Sequence, residues 1–326
     1  MANLEAEHRR WAWGSLLSRP YRRRGRLLDV GTPRERRYVS GMKKTPIAAP
    51  YSRRLNDIND QLCFGALGAE EISRVTATVA ALPSGATTVT LFPGNSHASR
   101  IHRKAEDLPA FERGAVNTAC LSALIAGSEF MQAYCEAALS AARQLTGLPA
   151  TNGGGGREER LQAQLAAWGS PIAGGIVDTV TYLRRRRNCL VHADGALSLD
   201  LSTWFAAGPV PPGGPSALAT FWSGRPVDLM GFDFADQAID EFRVEDGYAI
   251  MNLFRICLVE IDAVVASVLP VGSVVAMEAQ QLVARAPHLK GDWDRLTKKV
   301  GGILELNYGA GHNTAALRPM VRLAFP

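Results

Sequence analysis

Apolar residues recur at alternating three- and four-residue intervals in long stretches of the chain, the spacing that gathers side chains on one face of an α-helix. Positions 121, 124, 128, 131, 135, 138, 142 and 145 are Leu, Leu, Ser, Met, Cys, Ala, Ala and Leu. They predict a helix over 116–145, with small residues along its seam that let a neighbour approach closely. Gly147-Leu148-Pro149 ends it. Arg157 to Trp168 is a shorter amphipathic segment with Leu161, Leu165 and Trp168 on one face. Ile176, Val180, Leu183 and Leu190 predict a helix over 176–191, and Arg187 falls inside that stripe. A fourth segment, 247–269, is strongly apolar and ends at Pro270.

The flanks carry weaker patterns. Glu70 to Leu82 reads as a helix closed by Pro83-Ser84-Gly85. Thr87-Thr88-Val89-Thr90-Leu91-Phe92 is β-branched and reads as a short strand stopped by Pro93-Gly94. His97 and His102 follow in a polar loop. Ser273 to Ala286 reads as one C-terminal helix, followed by basic and glycine-rich segments. Asn152 and the four glycines 153–156 form a flexible connector without the Lys-Ser/Thr of a phosphate loop. Gly195 to Asp246 is a second, long connector. Its Trp204, Phe205, Phe221 and Trp222 imply that parts of it pack against the helices. The fold class is therefore all-α: an irregular arm over 1–54, a lead-in over 55–111, a helical bundle over 112–270 and an irregular C-terminal extension over 271–326.

Charge divides this picture rather than uniting it. Residues 1–54 hold fourteen Lys/Arg against four Asp/Glu, and the remainder holds 22 against 27. The pI near 9.1 thus belongs to the arm. Such an arm suits nucleic acid or an acidic membrane surface. A start at Met42-Lys43-Lys44-Thr45 would equally account for it, because residues 1–41 have little periodic pattern. Five scattered cysteines (Cys63, Cys120, Cys135, Cys189, Cys257) form no Cys-x-x-Cys or Cys/His pair with zinc spacing, so neither a metal site nor a cofactor is expected. Cys120, Cys135, Cys189 and Cys257 sit in apolar helical patterns, which fits a reducing compartment. No secretory signal is legible, and 248–269 carries Arg255, Glu260 and Asp262. The expectation is a cytoplasmic protein with no membrane partner, although the arginine-rich, acid-poor start also imitates an organelle transit peptide.

One short run carries most of the candidate chemistry: Arg184-Arg185-Arg186-Arg187-Asn188-Cys189-Leu190-Val191-His192, closed by Gly195. No other histidine has an arginine five to seven positions before it. Arg184, Arg185 and Arg186 read as a solvated basic face, the part that could contact RNA. Arg187, in the apolar stripe, needs an acceptor, and Glu129 or Glu136 on the first long helix could supply one. RNA carries its own nucleophile, the ribose 2′-OH. Cleavage needs that proton removed, the charged phosphorane held and the 5′ oxygen protonated. His192 can move the proton, Arg187 can fork onto phosphate oxygens and Asn188 can position. Five residues of helix separate Arg187 and His192 by about 140° in direction. Either the helix unwinds before His192, or the groups meet across two copies.

The run Arg187-Asn188-Cys189-Leu190-Val191-His192, at the end of the third helix of a bundle, resembles the HEPN superfamily (higher eukaryotes and prokaryotes nucleotide-binding), in particular its prokaryotic ribonuclease-like members. The resemblance covers roughly residues 112–270. Arg187, Asn188 and His192 match the family's arginine, following polar residue and histidine. The resemblance implies a four-helix bundle, metal-independent RNA cleavage without a cofactor and a composite cleft built from two motifs, hence a homodimer. It also implies a toxin or defence setting in which an antitoxin or other regulatory protein is a partner. The alternative is a non-catalytic HEPN-like module for interaction or nucleic-acid binding. A helical scaffold without ligand is a third reading.

Overall fold

A computed structural model describes residues 41–77, 85–151, 154–192, 195–207 and 214–325. Twelve α-helices occur among them. They are α1 (Ala48–Thr76), α2 (Thr88–Leu91), α3 (Ser96–Ile101), α4 (Leu108–Thr146), α5 (Arg157–Ala167), α6 (Gly174–His192), α7 (Leu199–Phe205), α8 (Pro215–Ser223), α9 (Val244–Val268), α10 (Val271–Arg285), α11 (Trp293–Tyr308) and α12 (Thr314–Leu323). The described residues form no strand, only an isolated bridge between Thr87 and Lys104.

The three-four seam of α4 is the centre of the molecule. Leu124, Ser128, Met131, Cys135, Ala138 and Ala142 are all buried. α9 lies along it, and closeness there depends on Gly127, where a Cβ would sit 2.6 Å from the ring of Phe254. α5 and α6 pack against α4, and α6 also against α9. These are the four helices expected from the spacing of apolar residues. α4 starts earlier than expected, and α6 and α9 shift by two or three residues.

The expected bundle is incomplete by one helix. α1 packs on α4 more extensively than any other helix and also on α9, through the buried Leu55, Ile58, Leu62 and Ala69. The irregular arm was expected to extend to residue 54, but residues 42–54 belong to the core. Met42 and Ile47 are buried, and the Lys43 N–H donates to the Tyr308 carbonyl at 2.9 Å. Thr45 donates to the buried Asp262 carboxylate of α9 through both its N–H and its hydroxyl, each at 2.6 Å. Tyr134 of α4 donates to the same carboxylate at 3.0 Å. Burial pushes the Asp262 pKa up, against the lowering effect of these donors. Residues 1–40, and with them most of the basic arm, lie outside the described residues.

Two further expectations fail for identifiable reasons. The β-branched run at 87–92 forms one helical turn, α2, rather than a strand. No second strand pairs with it, and Thr88 turns its hydroxyl to the Ala98 carbonyl at 2.8 Å. Strand preference reflects a pleated, half-buried neighbourhood, which is missing here. The C-terminal extension is regular rather than irregular: α10, α11 and α12 pack on one another, with Leu296, Val300, Leu304, Leu317 and Val321 buried between them. The long connector does pack down. Its α7 and α8 lie on α6, with Trp204 and Trp222 buried. Among the described residues no single helix is long and apolar enough to cross a membrane; α9 and α10 meet that condition of length and composition only as a pair, bent by 97°.

Candidate functional site

α6 begins at Gly174, opposite α8, where Trp222 Nε1 donates to Thr179 at 2.9 Å. Its buried face includes Ile176, Val180, Leu183, Arg186 and Cys189. The end is built by glycine. Gly195 takes φ +80°, and its N–H donates back to the Cys189 carbonyl at 3.2 Å, closing the helix in a left-handed turn. A Cβ there would also lie 3.3 Å from Asp240 Oδ2. Cys189 accepts from the Ser198 N–H at 3.3 Å and so ties the start of the connector to the same turn.

The four consecutive arginines have four different environments. Arg184 binds Glu158 at 2.7 Å and Glu159 at 3.2 Å on α5. Glu158 is itself buried and also accepts from Gln132 and Thr181. Arg185 Nε lies 2.8 Å from Asp200 of α7. Arg186, expected on a solvated face, is only 1 % exposed. It donates to Ala238 O at 3.0 Å, Ile239 O at 3.2 Å and Tyr182 Oη at 2.8 Å. Its guanidinium lies 4.5 Å from the ring centroid of Phe242. An arginine so deep without such acceptors would carry an uncompensated charge, a penalty of several kcal/mol. From the α4 side, Asn117 binds the Asp240 carbonyl and the Phe242 N–H at 2.8 and 2.9 Å. Arg186 and Asn117 together pin the end of the connector beside the motif. This anchor is hidden in the sequence because four like charges in a row conceal which one turns inward. Tyr182, one turn earlier in an apolar stretch, was the available signal.

Arg187 is the arginine at the candidate site. It is ion-paired with Glu129 of α4, one of the two partners expected, whereas Glu136 instead takes Arg160 at 3.3 Å. Its Nη1 donates to Asn188 Oδ1 at 3.0 Å and lies 3.5 Å from His192 Nε2. Arg187, Asn188 and His192 therefore converge within one chain, with α6 helical through His192. The expectation that they could meet only by unwinding or across two copies is corrected. Backbone direction separates Arg187 and His192, but the long arginine side chain closes the gap, and Asn188 shares the His192 face at i,i+4. A guanidinium can only donate, so the contact selects the tautomer with its lone pair on Nε2. His192 is exposed, Arg187 and Asn188 partly so. The exposed apolar residues Val191, Leu197 and Leu199 border the same helix end.

No protein-family model, curated protein or solved structure matches the chain. What the fold defines is an all-α helical-bundle protein. What the site offers is an exposed imidazole, an amide and a guanidinium held in mutual reach at a helix end.

Proposed function

We propose that the protein is a metal-independent endoribonuclease of HEPN type, acting in a toxin or defence setting. The observation that carries the reading is the convergence of Arg187 Nη1 with Asn188 and the exposed His192 Nε2. His192 takes the proton of a ribose 2′-OH. The 2′ oxygen attacks phosphorus and the bond to the 5′ oxygen breaks, leaving a 2′,3′-cyclic phosphate and a 5′-hydroxyl. Arg187 neutralises the equatorial oxygens and Asn188 orients the phosphate. Arg184 and Arg185, partly exposed, flank the path of the strand. Arg186, being buried, has no part in it. The reaction transfers two protons, one from the 2′-OH and one to the leaving oxygen. One His192 serves one of them, and His192 of a second copy serves the other, so the working form is a homodimer. A second protein that covers this face, as an antitoxin would, turns the activity off.

The full chain is tested on RNA with EDTA present. Cleavage is expected, leaving cyclic phosphate ends, and DNA of the same sequence should stay intact. His192→Ala should reduce the rate by about 10²–10⁴ without loss of fold. A wild-type chain that cuts no RNA with or without chelator, and is no more toxic in cells than His192→Ala, overturns the reading. One observation favours the alternative of a non-catalytic helical module. Glu129 occupies Arg187, and the other three arginines are engaged in the fold. On that reading the run holds the bundle together and meets no substrate.

A further inference from the structure

One group of free cations lies far along the chain from the arginine run. Residues 285–322 hold seven Lys/Arg against three Asp/Glu. Two of the three acids are already engaged. Asp292 caps α11 by accepting from the Arg295 N–H at 3.1 Å, and Asp294 binds Arg318 of α12 at 3.2 Å. α11 turns Leu296, Thr297, Val300, Leu304 and Tyr308 inward. At 100° per residue, Arg295, Lys298, Lys299, Gly302 and Leu306 fall on the opposite side within an arc of about 100°. Arg295, Lys298 and Lys299 are all exposed, and their side chains have no hydrogen-bond or ion-pair partner among the described residues. Among the described residues of α11, Glu305 and Asp294 border the arc, and Asp294 is taken by Arg318. Gly302 leaves the middle of the face without a side chain, so a bulky ligand can lie close to the helix.

From this we infer that the outward face of α11 is a binding site for the sugar–phosphate backbone of a nucleic acid. Three unpaired cations on two successive turns match a polyanion, whose charges recur along its length. Arg295 and Lys299 stand about 6 Å apart along the axis. A lipid surface fits less well, because a membrane-surface helix inserts its apolar face and α11 commits that face to the core, leaving only Leu306 outside. The α10–α11–α12 unit holds the face rigidly. The turn between α11 and α12 is locked by His312, whose ring lies against Gly301 where a Cβ would otherwise be. The site reads charge, not the 2′-OH, so it takes RNA and DNA alike. It is independent of cleavage at His192.

The test uses the full chain and fluorescent 30-nucleotide RNA and DNA strands of one sequence. Wild type is compared with Arg295→Glu/Lys298→Glu/Lys299→Glu and with Lys298→Ala/Lys299→Ala. Both strands should bind wild type with similar affinity. The triple reversal should weaken binding by at least about tenfold at low salt, and should flatten the slope of log affinity against log salt by about 2. The double alanine variant, which adds no repulsion, should flatten it by about 1 to 1.5. Melting temperatures of both variants should stay within a few degrees of wild type, since none of the three side chains has a partner to lose. An unchanged affinity and salt slope would place any nucleic-acid binding elsewhere in the chain and overturn the inference. Binding to phosphatidylserine vesicles that is lost in the triple variant, with no nucleic-acid binding by wild type, would overturn it in favour of lipid.

Discussion

Arg187 has two claimants. In the folded chain its guanidinium is held by Glu129. In the proposed reaction it must turn to a phosphate. The carboxylate of Glu129 is half exposed, so the pair is worth on the order of 1 kcal/mol or less, and a dianionic transition state can displace it. Glu129→Gln keeps an acceptor for Arg187 but removes the competing charge. Its RNA affinity, measured in the His192→Ala background, should therefore rise by roughly two- to tenfold, with stability altered by less than about 1 kcal/mol. Weaker RNA binding in Glu129→Gln would mean that the ion pair builds the site rather than blocks it.

Thr45 shows how an element can be joined to the fold by one residue. The stretch before α1 is fixed to α9 by two donors from Thr45 to Asp262. Thr45→Val deletes one hydrogen bond to a buried carboxylate and should cost about 1.5–3 kcal/mol. The cost should depend on pH. The folded pKa of Asp262 is raised by burial, so the folded state keeps a proton that the unfolded chain has released. The stability this confers is full below the ordinary aspartate value and is lost as pH rises through the folded value. Removing Thr45's hydroxyl raises the folded value further. Denaturant melts should therefore show a larger penalty at pH 7 than at pH 4. Equal penalties at both would show that Asp262 is not the group through which Thr45 acts.

The contrast between elements explains what could be read from the sequence. α4, α5, α6 and α9 are legible because each buries a stripe of mainly apolar or small residues, and their periodicity survives in the sequence. α1 buries only a narrow stripe and interleaves it with Arg53, Arg54, Asp57 and Asp60, so its pattern reads as polar. α11 is masked by Lys298-Lys299 and Gly301-Gly302, residues that suit a turn in isolation. At the candidate site, position in the apolar stripe points to an acid on the first long helix as the partner of Arg187 and narrows it to Glu129 or Glu136, of which the fold uses Glu129. The meeting of Arg187, Asn188 and His192 within one chain was not legible, because helix geometry gives the direction of a Cβ and not the reach of a guanidinium.

At the scale of the whole molecule, one hydrophobic core runs from Met42 to Ala324, and His192 is exposed at its rim. A rim site gains shelter from water only if something covers it. Val191, next to His192, and Leu197 and Leu199, which flank the Ser198 tied to Cys189, are exposed, Leu199 by 83 %, and a two-fold contact there would bring two motifs together. Sedimentation at tens of micromolar protein should give twice the chain mass of 35.1 kDa. Leu199→Asp should shift it toward one copy and reduce RNA cleavage in parallel. A chain that stays single at that concentration, where a standard interface of about 1,600 Å² usually persists, counts against the shared cleft.

The anchoring of Arg186 bears on how relatives of this chain would be recognised. A bare arginine and histidine five apart is a short signature that chance reproduces. Arg186 adds obligations that chance does not. It requires a hydroxyl one turn earlier, at Tyr182, and an aromatic ring at Phe242 more than fifty positions later, after the long connector. A sequence with tyrosine, three residues, Arg-Arg-Asn, three residues and histidine, followed by an aromatic residue just before the next apolar helix, would share a folding constraint as well as a motif. That longer pattern separates chains built like this one from those that merely spell the same few letters.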